Sequence, residues 1–314
     1  MSAALLMSPE FMVLQVLNGL QLSMLLFLLS VGLSVVFGMM NFINLAHGTL
    51  YMFGAYLGMS AIQAFDRLAA YLDSLGLSGL QSLDSFWFAL AIAPVGVALI
   101  GAVLYLLLFR HVRAESPMKQ VLVTFALIFV GFDTVRMIWG PLEQRIDAPA
   151  LLSQPVVVLG ETYPSYRLFI IGLGLGVMLV LYVGLERTRI GAIVRAGVDN
   201  RMMVKALGVN IERILFFVFC LGCYLAGLAG VVAAPTGSLF PGMDMSVLIL
   251  ALIVVVIGGP GNLKGAILGS LIIGMADTFG QVLIPQFASV IIYALMALVL
   301  LARPQGLLPV RASG

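Results

Sequence analysis

The residues able to do covalent or acid–base chemistry are few, and their spacing does not favour it. The only histidines are His47 and His111. No Ser-His-Asp arrangement, helical His-Glu-x-x-His pair or cluster of metal ligands appears. Cys220 and Cys223 form a Cys-x-x-Cys. A zinc site needs three or four donors, and no His or further Cys stands nearby. Inside an apolar run the pair reads as two small packing residues on one helix face. The stretch Ile257-Gly-Gly-Pro-Gly-Asn-Leu-Lys-Gly-Ala-Ile-Leu-Gly-Ser is spaced almost like a phosphate loop. That loop needs Gly immediately before its Lys, and here Leu263 precedes Lys264. No catalytic residue, metal ligand or nucleotide site is therefore assigned, and no cofactor is expected in this chain.

Polar residues inside apolar segments are the better candidates. A polar group at membrane depth is costly unless it pairs or lines a wet cavity. Asn41, Asn44 and His47 recur every third residue between Gly38 and Gly48, so they share one helical face or turn. Two readings stay open: a discontinuous helix bordering a translocation path, or a turn in which Asn and His cap helix ends. Asp277 stands with Thr278 and Gln281 in another apolar segment, where it either serves a path or is hydrogen-bonded in place. Asp133 and Arg136 are three apart on one helix and are expected to pair.

The elements that position these residues are membrane helices. The 314 residues are 62% hydrophobic and 10% charged, against about 25% charged in soluble domains. From Phe11 to Phe65 there is no Lys, Arg, Asp or Glu, and Ser85–Phe109, Ile214–Met243, Met245–Leu263 and Thr278–Ala302 are also charge-free. A span needs about 20 apolar residues. A helix satisfies its own backbone hydrogen bonds, which hydrocarbon cannot do. The predicted spans are 12–38, 49–65, 85–109, 118–139, 166–185, 213–234, 246–259, 264–283 and 286–302. The fold class is thus all-α: one polytopic transmembrane domain over 1–314, of about eight or nine spans, with discontinuous helices. No basic region precedes the first apolar run, so that run reads as a retained helix, not a cleaved signal. Gly54-x-x-x-Gly58, Gly172-x-x-x-Gly176 and Gly265-x-x-x-Gly269, the last continued by Ala266, Ser270 and Gly274, offer small faces for close helix packing. Asn44-Leu45-Ala46-His47-Gly48 and Asn262-Leu263-Lys264-Gly265 each open a helix after a long apolar segment, a faint internal echo.

Charge orients the bundle. Arg187, Arg189, Arg195, Arg201, Lys205 and Arg213 crowd the link 187–213; Arg110, Arg113 and Lys119 crowd 110–119; Arg303 and Arg311 sit in the tail. The span count puts all three segments on one side, which the positive-inside rule makes cytoplasmic. The links 66–84, 140–165 and 235–245 then face outward. Within 187–213, Asp199 or Asn200 can N-cap a short helix running through Leu207, with Gly208 as its stop. Met202, Met203, Ala206 and Leu207 would form an apolar patch on it. Such a patch in a basic loop asks for a protein partner, while the basic charge alone would attract anionic membrane lipid.

Four segments, in order, carry a family resemblance. Gly38-Met-Met-Asn-Phe-Ile-Asn-Leu-Ala-His-Gly-Thr-Leu-Tyr-Met-Phe-Gly-Ala-Tyr resembles the first signature of the branched-chain amino acid ABC transporter permeases, on the side of the smaller permease of the pair. Arg195-Ala-Gly-Val-Asp-Asn-Arg-Met-Met-Val-Lys-Ala-Leu-Gly-Val-Asn is similar to that family's cytoplasmic coupling loop. Ile257–Gly269 resembles its late Gly-rich segment, and Arg303-Pro-Gln-Gly-Leu-Leu its ending. Many relatives have Arg-Pro after the third span, where this chain has Arg110-His111. The resemblance implies a multi-pass protein of the bacterial inner membrane, working with a second related permease, two cytoplasmic ATPases that bind the ATP and Mg, and a periplasmic substrate-binding protein. No nucleic acid is expected as a partner. It implies that Arg195, Asp199, Asn200, Met203, Ala206, Leu207 and Gly208 dock on an ATPase, and that Asn41, Asn44 and His47 lie beside the path, with Asp277 a further path candidate from its burial in an apolar segment. The same architecture serves urea, amides and aromatic acids as well as branched-chain amino acids. The competing class is a self-sufficient secondary transporter or channel, with Asp277 or the Asp133–Arg136 pair coupling ions. A membrane enzyme lacks the residues it would need.

Overall fold

The computed structural model describes residues 8–308 apart from 43, 77–83 and 114; the side chains of Asp199 and Arg201, the residue Arg311 and part of the 66–84 link fall outside the described residues. The helices are α1 (Pro9–Met40), α2 (His47–Ser74), α3 (Ser85–Leu104, prolonged by a π-helical turn Tyr105–Phe109 and by Arg110–Val112) and α4 (Pro117–Trp139). A two-stranded hairpin, β1 (Pro155–Val158) and β2 (Glu161–Pro164), follows. Next come α5 (Ser165–Arg187), α6 (Arg189–Asp199), α7 (Arg201–Ala206), α8 (Ile211–Ala233), α9 (Met243–Gly258), α10 (Leu263–Leu283) and α11 (Ala288–Ala302). Among the described residues seven helical segments are long and apolar enough to cross a membrane. The other two expected spans fall on α9, which is short, and on α2, whose later turns carry Asp66, Arg67 and Asp73.

The chain divides into two compact units: Met1–Asn41, Leu152–Leu215 and Ile249–Gly314 form one, and Phe42–Leu151 with Phe216–Leu248 the other. In the first unit α1 is the central rod. Ser8 caps it by accepting from the Phe11 N–H at 3.3 Å, Pro9 occupies the first turn, and Asn41 closes it in the left-handed region at φ 50°. Every residue from Leu26 to Val36 is buried. A helix hydrophobic all round belongs in an interior. Its closest neighbour is α10, where a Cβ on Gly274 would stand 2.7 Å from the Ser23 amide nitrogen. Ser23 hides its own hydroxyl on the Gly19 carbonyl at 2.6 Å. Val254, Ile257, Ile273 and Ile292 complete the packing around Leu26.

One end of this unit is tied by backbone bonds. The turn between α9 and α10 uses Gly259 and Gly261, at φ 96° and 77°, conformations that only glycine adopts freely. The Gly261 N–H donates to the Ser34 carbonyl at 3.1 Å. Gly258 and Gly265 face each other without side chains between them. The tail then closes over the turn: Leu307 N–H donates to Ile257 O at 2.7 Å, and Asn262 Nδ2 donates to Leu308 O at 2.8 Å. Met39 packs on Gly197 at the same end. The end of α1, the basic link, the glycine turn and the Arg303 tail therefore gather on one side of the unit. At the other end, Tyr163 Oη (3.2 Å) and Arg167 Nη1 (2.6 Å) both donate to Asn18 Oδ1. Burial pushes the Tyr163 phenol above its ordinary pKa, and the Arg167 guanidinium partly offsets this.

In the second unit α2 packs on α3, α4 and α8 through missing side chains. Gly54 meets Gly227, Gly58 meets Val231, and Gly230 lies against the Tyr51 carbonyl. Cys223, 1% exposed, fills the space left by Gly101, and both cysteines are free thiols. Tyr105, Phe109 and Phe219 interlock with centroids 4.9–5.5 Å apart.

Two of the three glycine pairs thus bury their small faces, while Gly172 and Gly176 on α5 face open space. Gly274→Ala should lower the thermal midpoint of the purified protein, with about 1–3 kcal/mol of overpacking. Gly176→Ala, where nothing is displaced, should leave the midpoint unchanged or raise it through helix propensity. A thermal melt of the two variants in detergent checks the contrast.

Candidate functional site

Two places in the fold hold polar or exposed groups that packing alone does not explain. The first is the basic link of the first unit. Thr188 caps α6 by accepting from Gly191 N–H at 3.1 Å, and Arg195 reaches Glu186 at 3.5 Å. Asn200 is the cap of α7: its Oδ1 accepts from Met203 N–H at 3.0 Å. Leu207 closes that helix and Gly208 turns the chain at φ 81°. Asp199 is the last residue of α6. Met202, Met203 and Leu207 are 81%, 60% and 75% exposed, and Ala206 is exposed beside them, while Val204 points inward. Each exposed side chain is one that water does not favour. A single exposed apolar residue needs no explanation, but a contiguous set on one short helix does.

The second place is the entry to α2 in the second unit. α1 ends at Met40 and α2 starts at His47, so Asn41, Asn44 and His47 do not share a continuous helical face. Asn41 is exposed, whereas Asn44 and His47 are 0% and 1% exposed. Asn44 Oδ1 accepts from Ala46 N–H at 3.2 Å, and Asn44 O accepts from His47 N–H at 3.2 Å, so Asn44 shapes the turn that starts the helix. Two residues on, Thr49 Oγ1 donates to Asp244 Oδ2 at 2.9 Å. Asp244 lies in the first turn of α9 and is 1% exposed. Gly48 makes this approach possible: a Cβ there would stand 2.8 Å from the Asp244 carbonyl oxygen. Gly131 of α4 leaves room for the Thr49 methyl group.

Asp244 escaped the reading of the sequence, where it served only to separate two charge-free runs. The signal was present: a lone acid opening a short apolar helix is an intramembrane acid. The other ionisable candidates are placed differently. Asp277, 8% exposed on α10 of the first unit, accepts from Gln281 Nε2 of its own helix at 2.9 Å. The expected Asp133–Arg136 pair gives way to another contact: Arg136 lies over the Phe132 ring, 5.4 Å from its centroid. Both residues border an open cavity of about 390 Å³ with Met137 and Pro141.

Comparison with known proteins agrees with this architecture. Residues 15–300 match the family model described as branched-chain amino acid transport system / permease component. The chain is similar to the high-affinity branched-chain amino acid transport system permease protein BraD of Pseudomonas aeruginosa, at 29% identity over 94% of each chain. It is similar to LivH of Escherichia coli K12, of the same description, at 26% identity over 96% of this chain and 97% of that one. LivM of the same organism, also a permease protein of that description, matches at 26% over 92% of this chain and 68% of its own. No solved structure matches.

The cap of α7 gives a local expectation. Asn200→Ala removes the acceptor for Met203 N–H, a loss of about 1 kcal/mol for an N-cap. Hydrogen exchange should quicken at the α7 amides and stay unchanged in α10.

Proposed function

Because the chain belongs to the family of permease components of branched-chain amino acid transport systems, we propose that it is the membrane-spanning permease of an ATP-driven importer for branched-chain or other small amino acids. It resides in the bacterial inner membrane. Power comes from two separate cytoplasmic ATPases, and substrate arrives from a periplasmic binding protein. A second, related permease completes the pore, a role that fits the match to both LivH and LivM, two permease proteins of one described system.

The observation that carries the reading is α7: a capped, two-turn helix whose Met202, Met203 and Leu207 stand exposed in a basic link. A short rigid helix with an apolar face suits docking into a groove on a partner. Asn200 and Gly208 hold its start and end, Asp199 precedes its cap, and Arg195 lies on the preceding helix, paired with Glu186. The link shares its end of the unit with the glycine turn, the tail and the close of α1, so a push on it reaches the helix ends through contacts such as Met39 with Gly197. Closure of the ATPases on ATP would then move these ends and open the pore alternately to each side. By the positive-inside rule this end faces the cytoplasm.

Affinity purification of the chain from its own membrane, followed by mass spectrometry, tests the assembly. The expected companions are one related permease and two ATPases of the phosphate-loop type. Met203→Asp with Leu207→Asp should lose the ATPases, by tenfold or more in recovery, and keep the permease. Recovery of the wild-type chain alone would favour a self-sufficient transporter.

A further inference from the structure

Three buried side-chain atoms among the described residues have no hydrogen-bond partner: Asn44 Nδ2, Asp244 Oδ1 and Tyr56 Oη. Buried polar groups are bonded in the great majority of cases, and each exception is destabilising. All three lie in one unit, on α2, on the turn that starts it, or on the acid that α2 holds. Two of them belong to the starts of α2 and α9, which Thr49 Oγ1 ties together by donating to Asp244 Oδ2 at 2.9 Å.

This meeting point is deep. Thr49 packs beside Gly131, which on α4 stands about 12 Å from the Trp139 end and about 21 Å from the Pro117 end, at 1.5 Å per residue. One oxygen of that carboxylate, Asp244 Oδ1, has no hydrogen-bond partner and is free to accept from a further donor such as an ammonium group. An amide there, with its NH₂ unbonded, lacks an anion or an acceptor. The first turns of two helices add the positive ends of their dipoles, which favour the acceptor's charge. The third orphan, Tyr56, lies two turns further along α2, its ring 5.3 Å from that of Trp139. Ser60 follows one turn on, accepting from Trp139 Nε1 at 2.7 Å. Beyond it, Gln63 and Asp66 border a cavity of about 330 Å³ with Asp84 and Arg145. A row of polar groups therefore runs along α2 from that cavity to Asp244.

We propose that Asn44 and Asp244 form a binding site for the charged head of an α-amino acid zwitterion, its ammonium on Asp244 Oδ1 and its carboxylate on Asn44 Nδ2. One ligand head supplies both missing partners, with donor and acceptor groups on neighbouring atoms. Thr49 holds the carboxylate of Asp244 from its other oxygen. Gly48 lets the two helix starts approach in backbone contact. The site rests on the amino-acid importer reading above and says where in this chain the substrate is recognised.

The test uses the assembled complex of this chain with its partners and three probes. They are leucine, its 2-hydroxy analogue without the ammonium group, and 3-methylbutylamine without the carboxylate. Two isosteric variants, Asp244→Asn and Asn44→Asp, act on opposite ends of the ligand. Loss of one charged hydrogen-bond partner is worth about tenfold in affinity or more. Asp244→Asn should weaken leucine by that factor and leave the hydroxy acid unchanged. Asn44→Asp should weaken leucine and the hydroxy acid and spare the amine. Variants that assemble and bind all three probes as the wild type does would overturn the site. A wild-type complex that neither binds nor imports leucine would instead overturn the amino-acid reading beneath it.

Discussion

Hydrocarbon offers no hydrogen bonds, and the rest of this structure follows from that constraint. Every backbone N–H and C=O at membrane depth must be satisfied within the protein, so the chain is helical almost throughout. Helices in lipid are not driven together by the hydrophobic effect. They associate by close packing. The contacts that matter here are accordingly the ones with least side chain: Gly274 on Ser23, Gly258 on Gly265, Gly54 on Gly227 and Gly230 on the Tyr51 carbonyl. Where the chain must turn between helices, it does so with its backbone bonded, as Gly261 is to Ser34 and Leu307 to Ile257.

The same constraint picks out the two proposed sites as exceptions. α7 presents methionines and a leucine where the chain is otherwise basic and polar. The start of α2 buries an acid and an amide that are each only half bonded. One feature is an exposed apolar surface, the other a buried pair of polar groups. The proposed permease, driven by separate ATPases, would need both kinds of place: one to receive the push and one to hold the solute.

Much of this was legible in the sequence. Most helices lie within a few residues of the predicted spans, because apolar length and backbone satisfaction are local properties; α2 departs, running on through Asp66, Arg67 and Asp73 to Ser74 where the predicted span stops at 65. The cap at Asn200, the stop at Gly208 and the patch on α7 were also readable, since capping is decided by side chains three residues apart. What could not be read was anything set by distant neighbours. Asp244 finds Thr49 across 195 positions, and only the fold brings α9 to the start of α2. Asp133 and Arg136 have the spacing of an ion pair, yet Arg136 prefers the Phe132 ring. Asn41, Asn44 and His47 have helical spacing, but the helix ends at Met40 and begins again at His47, so Asn41 is exposed while the other two are buried. Gly172 and Gly176 show the limit of small-residue spacing: the motif marks a surface able to pack closely, and here it remains open.

The most direct test of the whole account is leucine uptake into proteoliposomes holding the purified complex, with the binding protein outside and ATP either present or absent inside. The expected result is accumulation against a gradient that requires ATP and every partner. Accumulation by this chain alone, without ATP, would contradict it.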